Sequence, residues 1–246
     1  MNASRFLARR ITLSWPVRRG VELKTKRIVI LDLDGTLLRS VRWSIEVFCS
    51  MLAAHGVKIT PALRREVTRR WGTQTALFKE KFFPQLSDAA IDDIYRRIGA
   101  VVEIVPFLGM RAALELMRDN GVDLYGFTAR GRIGALRVLG RYGLRELFTR
   151  VICLQDVGEL HAKPAPRGLN LILGPLEETL GLSRDEAVFV GDGICADLVC
   201  AQNAGVEFIA VHEEDVITRA DWLEAGVAET NIVRSVRDLP AWLGIT

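Results

Sequence analysis

A short apolar run that ends in a turn with two aspartates and a glycine places the strongest constraint on how this chain can fold. Residues 28–31 read Ile-Val-Ile-Leu, and Asp32, Asp34, Gly35 and Thr36 follow almost at once. An apolar run without polar alternation, bounded by a glycine turn, predicts a strand that is buried on both faces, as in a parallel sheet. Similar runs recur at residues 123–127, 151–154, 187–190 and 207–211.

Amphipathic segments separate the later runs, and each of them ends at a glycine. The three segments and the glycines that close them are 109–120 with Gly121, 132–142 with Gly143, and 198–204 with Gly205. A glycine just past the last periodic residue is a typical helix C-terminus. Strands that alternate with helices predict an α/β fold with a doubly wound (Rossmann-like) parallel sheet. We also expect Gly174-Pro175 to split the helix that follows Lys163.

Residues 41–106 interrupt this alternation. The interval holds no convincing strand but several helical stretches, with helix-start signals at Thr60-Pro61 and at Ser87. Roughly 65 residues is far longer than an ordinary connection between a strand and a helix. The pattern predicts an inserted all-helical cap domain at 41–106 and an α/β core made of 27–40 and 107–246.

The net charge of +3 is unevenly distributed along the chain. Residues 1–27 hold eight basic side chains and one acid, whereas the rest of the chain has four more acids than bases. We predict that residues 1–26 form a disordered basic leader, with nucleic-acid binding, acidic-lipid binding and organellar targeting as alternatives. A stable nucleic-acid partner is not expected, and the oligomeric state is left open.

The composition favours a soluble globular protein, with 49% hydrophobic and 26% charged residues. No stretch reaches 18 uninterrupted apolar residues, so the sequence predicts no membrane span. The four cysteines lack the spacing of a disulfide framework or of a structural zinc site. These features favour a cytoplasmic protein.

Polar side chains follow the predicted strands at the points where the strands end. The first strand is followed by Asp32 and Asp34, and the later ones by Thr128, Lys163, Asp192 and Asp197. The carboxyl ends of parallel strands meet at one edge of a sheet, which is where ligands bind in such folds. Crowded carboxylates need a compensating cation, and oxygen ligands favour Mg²⁺. The sequence therefore predicts a magnesium site at this edge.

These residues, in this order and spacing, resemble the four motifs of the haloacid dehalogenase superfamily of phosphohydrolases. The motifs are Asp32-Leu33-Asp34-Gly35-Thr36, Thr128 after Gly126-Phe127, Lys163-Pro164, and Gly191-Asp192-Gly193-Ile194-Cys195-Ala196-Asp197. The resemblance covers roughly residues 27–243 and includes a helical cap of the C1 type. The best-known subgroup that it resembles is that of the phosphoglycolate phosphatases, although Arg39 and Ala129 stand where many relatives carry an acid and an asparagine.

The resemblance implies a role for each of these side chains. Asp32 would be the nucleophile that attacks phosphorus, and Asp34 would be the general acid and then the general base. The phosphoryl group would be bound by Gly35, Thr128, Ala129 and Lys163, of which Thr128 and Lys163 also count as catalytic. The Mg²⁺ ligands would be Asp32, Asp34 through its carbonyl, Asp192 and, in the outer shell, Asp197. Asp197 could also be the N-cap of a helix that begins at Leu198.

The sequence as a whole therefore predicts a Mg²⁺-dependent phosphomonoester hydrolase that acts on a small phosphorylated metabolite. A phosphomutase of the same fold would retain the same residues and remains an alternative. A catalytically idle module that binds a ligand or a nucleic acid is an alternative from a different class of protein.

Overall fold

The computed structural model describes residues 26–245, except for the side chain of Leu77. The predicted disorder of the leader therefore concerns a segment that lies outside the described residues, apart from Lys26. The Lys26 ammonium lies 2.7 Å from the Glu207 carboxylate and donates to the Asp185 carbonyl at 2.5 Å. Among the helices of residues 26–245, none combines the length and the apolar character needed to cross a bilayer.

A six-stranded parallel sheet forms the centre of the body. Within the described part of the chain the strands are β1 (Ile28–Leu31), β2 (Leu38–Arg39), β3 (Val105–Pro106), β4 (Asp123–Phe127), β5 (Arg150–Ile152), β6 (Ala187–Gly191), β7 (Glu207–Val211) and β8 (Ile232–Val233). The sheet has the order β5-β4-β1-β6-β7-β8, and all of its pairs are parallel. The predicted doubly wound α/β fold is thus confirmed, with β1 at the centre of the sheet.

The apolar run of β1 is buried on both faces because its side chains alternate between two cores. Val29 and Leu31 belong to the core on one face of the sheet, and Ile28 and Ile30 to the core on the other. All four are at most 2% exposed. A strand with a polar face could not occupy this central position.

Helices cover both faces of the sheet and fill the interval between β2 and β3. They are α1 (Val41–Ala54), α2 (Pro61–Arg69), α3 (Thr75–Phe82), α4 (Asp88–Val101), α5 (Met110–Asp119), α6 (Arg132–Arg141), α7 (Leu154–Val157), α8 (Arg167–Leu180), α9 (Val199–Ala204), α10 (Arg219–Glu224) and α11 (Leu239–Trp242). The run predicted as a strand at 151–154 ends two residues early, since Leu154 begins α7.

Helices α1–α4 have a core of their own, which includes Phe48 and Phe83. The predicted helix starts are confirmed: Thr60 accepts from the backbone N–H of Leu63 at 3.1 Å, and Ser87 accepts from Ala90 at 3.2 Å. The two chain segments that enter and leave this helical insert pair as antiparallel β2 and β3. The helical content of the fold is that of a core with a cap.

The predicted break at Gly174-Pro175 is wrong, because α8 continues through Pro175. A proline has no N–H, so the carbonyl of Leu171, four residues earlier, loses its helical partner. The guanidinium of Arg150 donates to this carbonyl at 3.2 Å. A side chain from β5 thus replaces the missing donor, and the Thr179 hydroxyl also donates to the Pro175 carbonyl at 2.6 Å.

Candidate active site

Asp32 and Lys163 form a buried ion pair at the carboxyl end of β1. The backbone N–H of Asp32 donates to the Val190 carbonyl on β6 at 2.9 Å, which continues the sheet ladder by one residue. The Lys163 ammonium donates to Asp32 Oδ1 at 2.5 Å and to Asp197 Oδ1 at 2.7 Å. Lys163 is 2% exposed. One lysine therefore joins the first and the fourth predicted motifs.

The surroundings of Lys163 keep it charged. The ammonium lies 4.9 Å from the ring centre of Phe127 and 5.1 Å from that of Phe189, so both rings add favourable cation–π contacts. Burial alone would lower the pKa of Lys163, but the carboxylates of Asp197 and Asp32 together raise it above its usual value. The lysine is therefore a fixed positive charge at any physiological pH.

Asp34 lies two residues beyond Asp32 in a different hydrogen-bonding environment. The Arg130 guanidinium binds its carboxylate with two nitrogens, with Nε 3.0 Å from Oδ2 and Nη2 on Oδ1. The Ser40 hydroxyl donates to the same carboxylate at 2.7 Å. Burial alone would raise the pKa of Asp34, but Arg130 and Ser40 hold it below its usual value. Sequence reasoning did not predict either partner.

The turn after Asp34 requires a glycine. Gly35 adopts a positive φ of 78°, and a Cβ at this position would lie 2.0 Å from Asp192 Oδ2. The positive φ is unfavourable for any residue with a side chain, and the close contact would in addition force the Asp192 side chain to shift. The next residue, Thr36, donates its hydroxyl to Asp192 at 3.4 Å. This close packing brings the loop after β1 against the loop after β6.

Asp197 lies inside a wide helical turn, Ile194–Leu198, that precedes α9. The suggestion that it is the N-cap of a helix from Leu198 is therefore wrong, since its backbone N–H already donates to the Gly193 carbonyl. Its carboxylate instead accepts the backbone N–H of Gly193 at 2.9 Å and the ammonium of Lys163. The turn holds Asp197 so that it faces the lysine.

The three carboxylates of Asp32, Asp192 and Asp197 offer oxygen atoms that all lie within 4.8 Å of one another. Burial and the neighbouring acids, opposed by Lys163, together raise the pKa of Asp32 to about 7 and that of Asp192 well above its usual value. A single lysine thus leaves this cluster short of positive charge. An all-oxygen donor set with surplus negative charge fits a hard divalent cation.

Thr128 and Ala129 follow β4 on the other side of β1. Thr128 is 1% exposed, and its hydroxyl oxygen accepts the backbone N–H of Arg130 at 3.0 Å. The hydroxyl proton is therefore free to be donated into the cavity that both Thr128 and Ala129 line. This edge of the sheet brings together all the side chains that the sequence predicted as site residues.

A cavity of about 380 Å³ lies between this edge of the sheet and the helical insert. Asp32, Asp34, Lys163 and Asp192 line one wall. Residues of the insert that carry hydroxyl groups or aromatic rings line the opposite wall, namely Ser44, Thr68, Trp71, Thr73, Thr75 and Tyr95. The volume suits a small ligand.

Glu214, in the loop after β7, joins the core to the first helix of the insert. Its carboxylate accepts the backbone N–H groups of Ser40, Val41 and Arg42 at 2.7, 3.3 and 2.6 Å. The first N–H groups of a helix lack partners within the helix, and a negative charge there also complements the helix dipole. Because Ser40 donates its hydroxyl to Asp34, the start of α1 and the site are connected through one residue.

The sequence model of the haloacid dehalogenase-like hydrolases matches residues 29–211. The chain belongs to this family. A phosphoglycolate phosphatase of Agrobacterium fabrum is 27% identical over 194 residues, which cover 75% of this hydrolase and 79% of that protein. Pyrophosphatase PpaX of Halalkalibacterium halodurans is 23% identical over 235 residues, which cover 88% and 96% of the two chains.

Solved structures agree with this fold. A hydrolase from Pseudomonas syringae superposes with a TM-score of 0.69 at 20% identity and covers 89% of this chain and 98% of its own. The family that the four motifs predicted is therefore confirmed, and with it a haloacid dehalogenase-like phosphatase as the enzyme class.

Proposed function

We propose that this hydrolase is a Mg²⁺-dependent phosphomonoester hydrolase that works through an aspartyl phosphate on Asp32. The observation that carries the proposal is the position of Asp32, at the end of the central strand and in contact with the buried ammonium of Lys163. The similarity to phosphoglycolate phosphatases and to a pyrophosphatase supports phosphoryl chemistry on a small metabolite.

In the first step an Asp32 carboxylate oxygen attacks phosphorus, and the bond between phosphorus and the ester oxygen breaks. The leaving oxygen takes a proton from Asp34, so that an alcohol and an aspartyl phosphate result. The Lys163 ammonium and the Thr128 hydroxyl lie on the cavity wall beside Asp32, where they can donate to the phosphoryl oxygens. Fixed donors of this kind stabilise the charge of the transition state.

In the second step a water molecule attacks the phosphorus of the aspartyl phosphate. Asp34, now ionised, takes a proton from this water, and the bond between phosphorus and the Asp32 oxygen breaks. Inorganic phosphate leaves, and both aspartates return to their starting states. Asp34 lies beside the same cavity as Asp32, so one carboxyl group can serve in both steps.

The metal ion would be held by Asp32, Asp192, the carbonyl of Asp34 and, in its outer shell, Asp197. When bound, it supplies positive charge for the phosphoryl oxygens and for the crowded carboxylates. Asp197 reaches this site together with the lysine that it holds at 2.7 Å, so it also orients Lys163.

Replacement of the nucleophile tests the proposal. We expect Asp32→Asn to lower turnover of p-nitrophenyl phosphate by about 1000-fold or more, or about 4 kcal/mol, because the amide cannot form the phosphoenzyme. Asp119→Asn, which changes an exposed aspartate at the end of α5, is the matched control and should retain full activity. An Asp32→Asn enzyme that keeps a tenth of wild-type turnover would exclude covalent catalysis by Asp32.

The intermediate and the product give two further readouts. Acid-quenched wild-type protein should carry phosphate that hydroxylamine releases, as expected for an acyl phosphate, whereas Asp32→Asn protein should carry none. Inorganic phosphate should appear in step with loss of the ester. If the phosphate were instead returned to another position of the organic product, the chain would be a phosphomutase.

A further inference from the structure

Within the described part of the chain, the helical insert contributes no charged side chain to the wall that faces the catalytic carboxylates. The side chains that the helical insert contributes to the cavity are four with an aliphatic hydroxyl group, two aromatic ones and two aliphatic ones: Ser44, Thr68, Thr73, Thr75, Trp71, Tyr95, Val41 and Ile98. A Tyr hydroxyl is neutral near pH 7, because its ordinary pKa is about 10. This wall therefore offers hydrogen bonds and ring faces to whatever is attached to the phosphoryl group.

The basic side chains of the insert are directed elsewhere. Arg64 pairs with Glu46 at 2.6 Å and Arg70 with Glu66 at 3.0 Å, and both pairs lie outside the cavity. Among residues 26–245, the lysines and arginines that line the cavity are Lys163 and Arg130. Lys163 is bound to Asp32 and Asp197, and Arg130 is bound to Asp34.

Among residues 26–245, the charge balance of the cavity leaves no cation for a second anionic group. Four aspartates face these two cations, so one divalent metal ion would bring the site only to neutrality. The phosphoryl group itself then adds negative charge. A carboxylate on the leaving group would enter a partly dehydrated space without a counter-charge, which is unfavourable.

The two aromatic rings of the wall have a fixed arrangement. The ring centres of Trp71 and Tyr95 are 6.4 Å apart, with an angle of 35° between their planes. Phe48 contacts both rings, with ring centres 5.5 and 5.8 Å away. Ring faces beside hydroxyl groups suit a carbon skeleton that has both C–H and O–H groups.

We infer that the substrates of this hydrolase are monophosphates of neutral, hydroxylated alcohols, such as polyols or sugars, and that phosphorylated carboxylic acids are disfavoured. The inference rests on the proposed phosphatase function and names the class of its leaving group. It separates this chain from what the names of its phosphoglycolate phosphatase relatives would suggest.

Matched pairs of esters test the inference on the full chain with Mg²⁺. Phosphoglycolate and 2-hydroxyethyl phosphate share two carbons and differ in a carboxylate against a CH₂OH group, and 3-phosphoglycerate and glycerol 3-phosphate form the corresponding three-carbon pair. We expect kcat/KM to favour the neutral member of each pair by about tenfold or more. Equal values, or a preference for the acids, would overturn the inference. Hydrolysis of p-nitrophenyl phosphate tests the proposed phosphatase function separately. If the enzyme hydrolysed neither this ester nor the four metabolite esters, the proposed function and the inference about the leaving group would both be overturned.

A charge placed on the insert wall gives a second test. Thr68→Lys adds a cation on α2 at the cavity, and it should shift the ratio of the two-carbon pair toward phosphoglycolate by about tenfold. Ala62→Lys adds the same charge to the same helix at an exposed position away from the cavity and should leave the ratio unchanged. If Thr68→Lys did not change the ratio, or if Ala62→Lys changed it equally, the insert wall would not determine the preference between leaving groups.

Discussion

Asp32 and Asp34 are two residues apart on one loop, yet their surroundings shift their proton affinities in opposite directions. Burial raises the pKa of Asp32 to about 7, whereas Arg130 and Ser40 lower that of Asp34. The proposed steps need the reverse order, with Asp32 ionised as the nucleophile and Asp34 protonated as the acid, and a divalent cation bound at Asp32 would favour its ionised form. At Asp34 the guanidinium of Arg130 opposes protonation, so Arg130 affects the pH range in which Asp34 can act as the acid.

We expect Arg130→Gln to change the pH dependence of catalysis. Loss of the guanidinium raises the pKa of Asp34, so that a larger fraction of Asp34 stays protonated at a given pH. The alkaline limb of the profile of kcat/KM against pH, which reports ionisation of the general acid, should therefore move to higher pH. Stopped assays over the full pH range with 2-hydroxyethyl phosphate would measure it.

The control for this prediction lies two residues along the chain. Arg132 forms an ion pair with Asp156 at the surface, outside the cavity. In Arg132→Gln the alkaline limb of the profile of kcat/KM against pH should stay at the wild-type position. A limb that stays in place in Arg130→Gln as well would mean that Asp34 is not the group that titrates there.

Helix α8 gives a prediction that depends on two residues together. Arg150→Ala removes the donor to the Leu171 carbonyl and should lower the free energy of unfolding by about 0.5–1.5 kcal/mol. Pro175→Ala restores a backbone N–H to that carbonyl, so in this background Arg150→Ala should have a much smaller effect. Urea unfolding of the wild type, both single variants and the double variant measures the coupling. Additive effects would show that Arg150 does not compensate for the proline.

The elements that the sequence predicted well are those whose signal is local. A few adjacent residues determine the strand β1 and the helix starts at Thr60 and Ser87. Pro175 misled the prediction because the donor that compensates for it comes from β5, more than 20 residues away in sequence. The two-residue strand β8 is too short to give a periodic pattern.

The same reasoning explains what was missed in the candidate site. Asp32, Asp34, Thr128 and Asp192 stand at strand ends, where the pattern of the sheet identifies them, whereas Lys163 follows β5 only after a short helix and was identified by its place in the third motif. Arg130 donates a hydrogen bond to Asp34, which is 96 residues away in the sequence, and Glu214 accepts one from Ser40, which is 174 residues away. No local spacing encodes such contacts, although the position of Arg130 two residues after Thr128 was a signal that it lies near the site.

At the scale of the whole molecule, the acidic cluster should make stability depend on both pH and metal. A buried acid whose pKa is raised from its ordinary 3.8 to about 7 stabilises the fold fully below about pH 4. That contribution is lost as the pH rises through about 7, and Asp192 acts in the same direction. Asp34, with its lowered pKa, acts oppositely, and its contribution is lost as the pH falls below about 4.

We therefore expect Mg²⁺ to raise Tm more at about pH 8 than at about pH 5, because a metal ion competes with protons for the same carboxylates. The difference should be roughly 3 °C or more, since 1 kcal/mol corresponds to about 2–4 °C in a chain of this size. Thermal unfolding with EDTA or with Mg²⁺ at both pH values measures it. Asp192→Asn should reduce the gain from Mg²⁺ at the higher pH, and a gain that is independent of pH would contradict the prediction.

Parallel strands all begin at one edge of a sheet and end at the other, and this has a practical consequence for handling the enzyme. Lys26 is fixed at the edge where β1 begins, by Glu207 and the Asp185 carbonyl, while Asp32 lies at the opposite edge. The four residues of β1, which lie between the two, span about 13 Å along the strand. A tether joined directly at residue 26 would attach the enzyme to a bead or sensor surface at the edge of the sheet opposite to the catalytic carboxylates, so the attachment point would not obstruct the edge that holds Asp32.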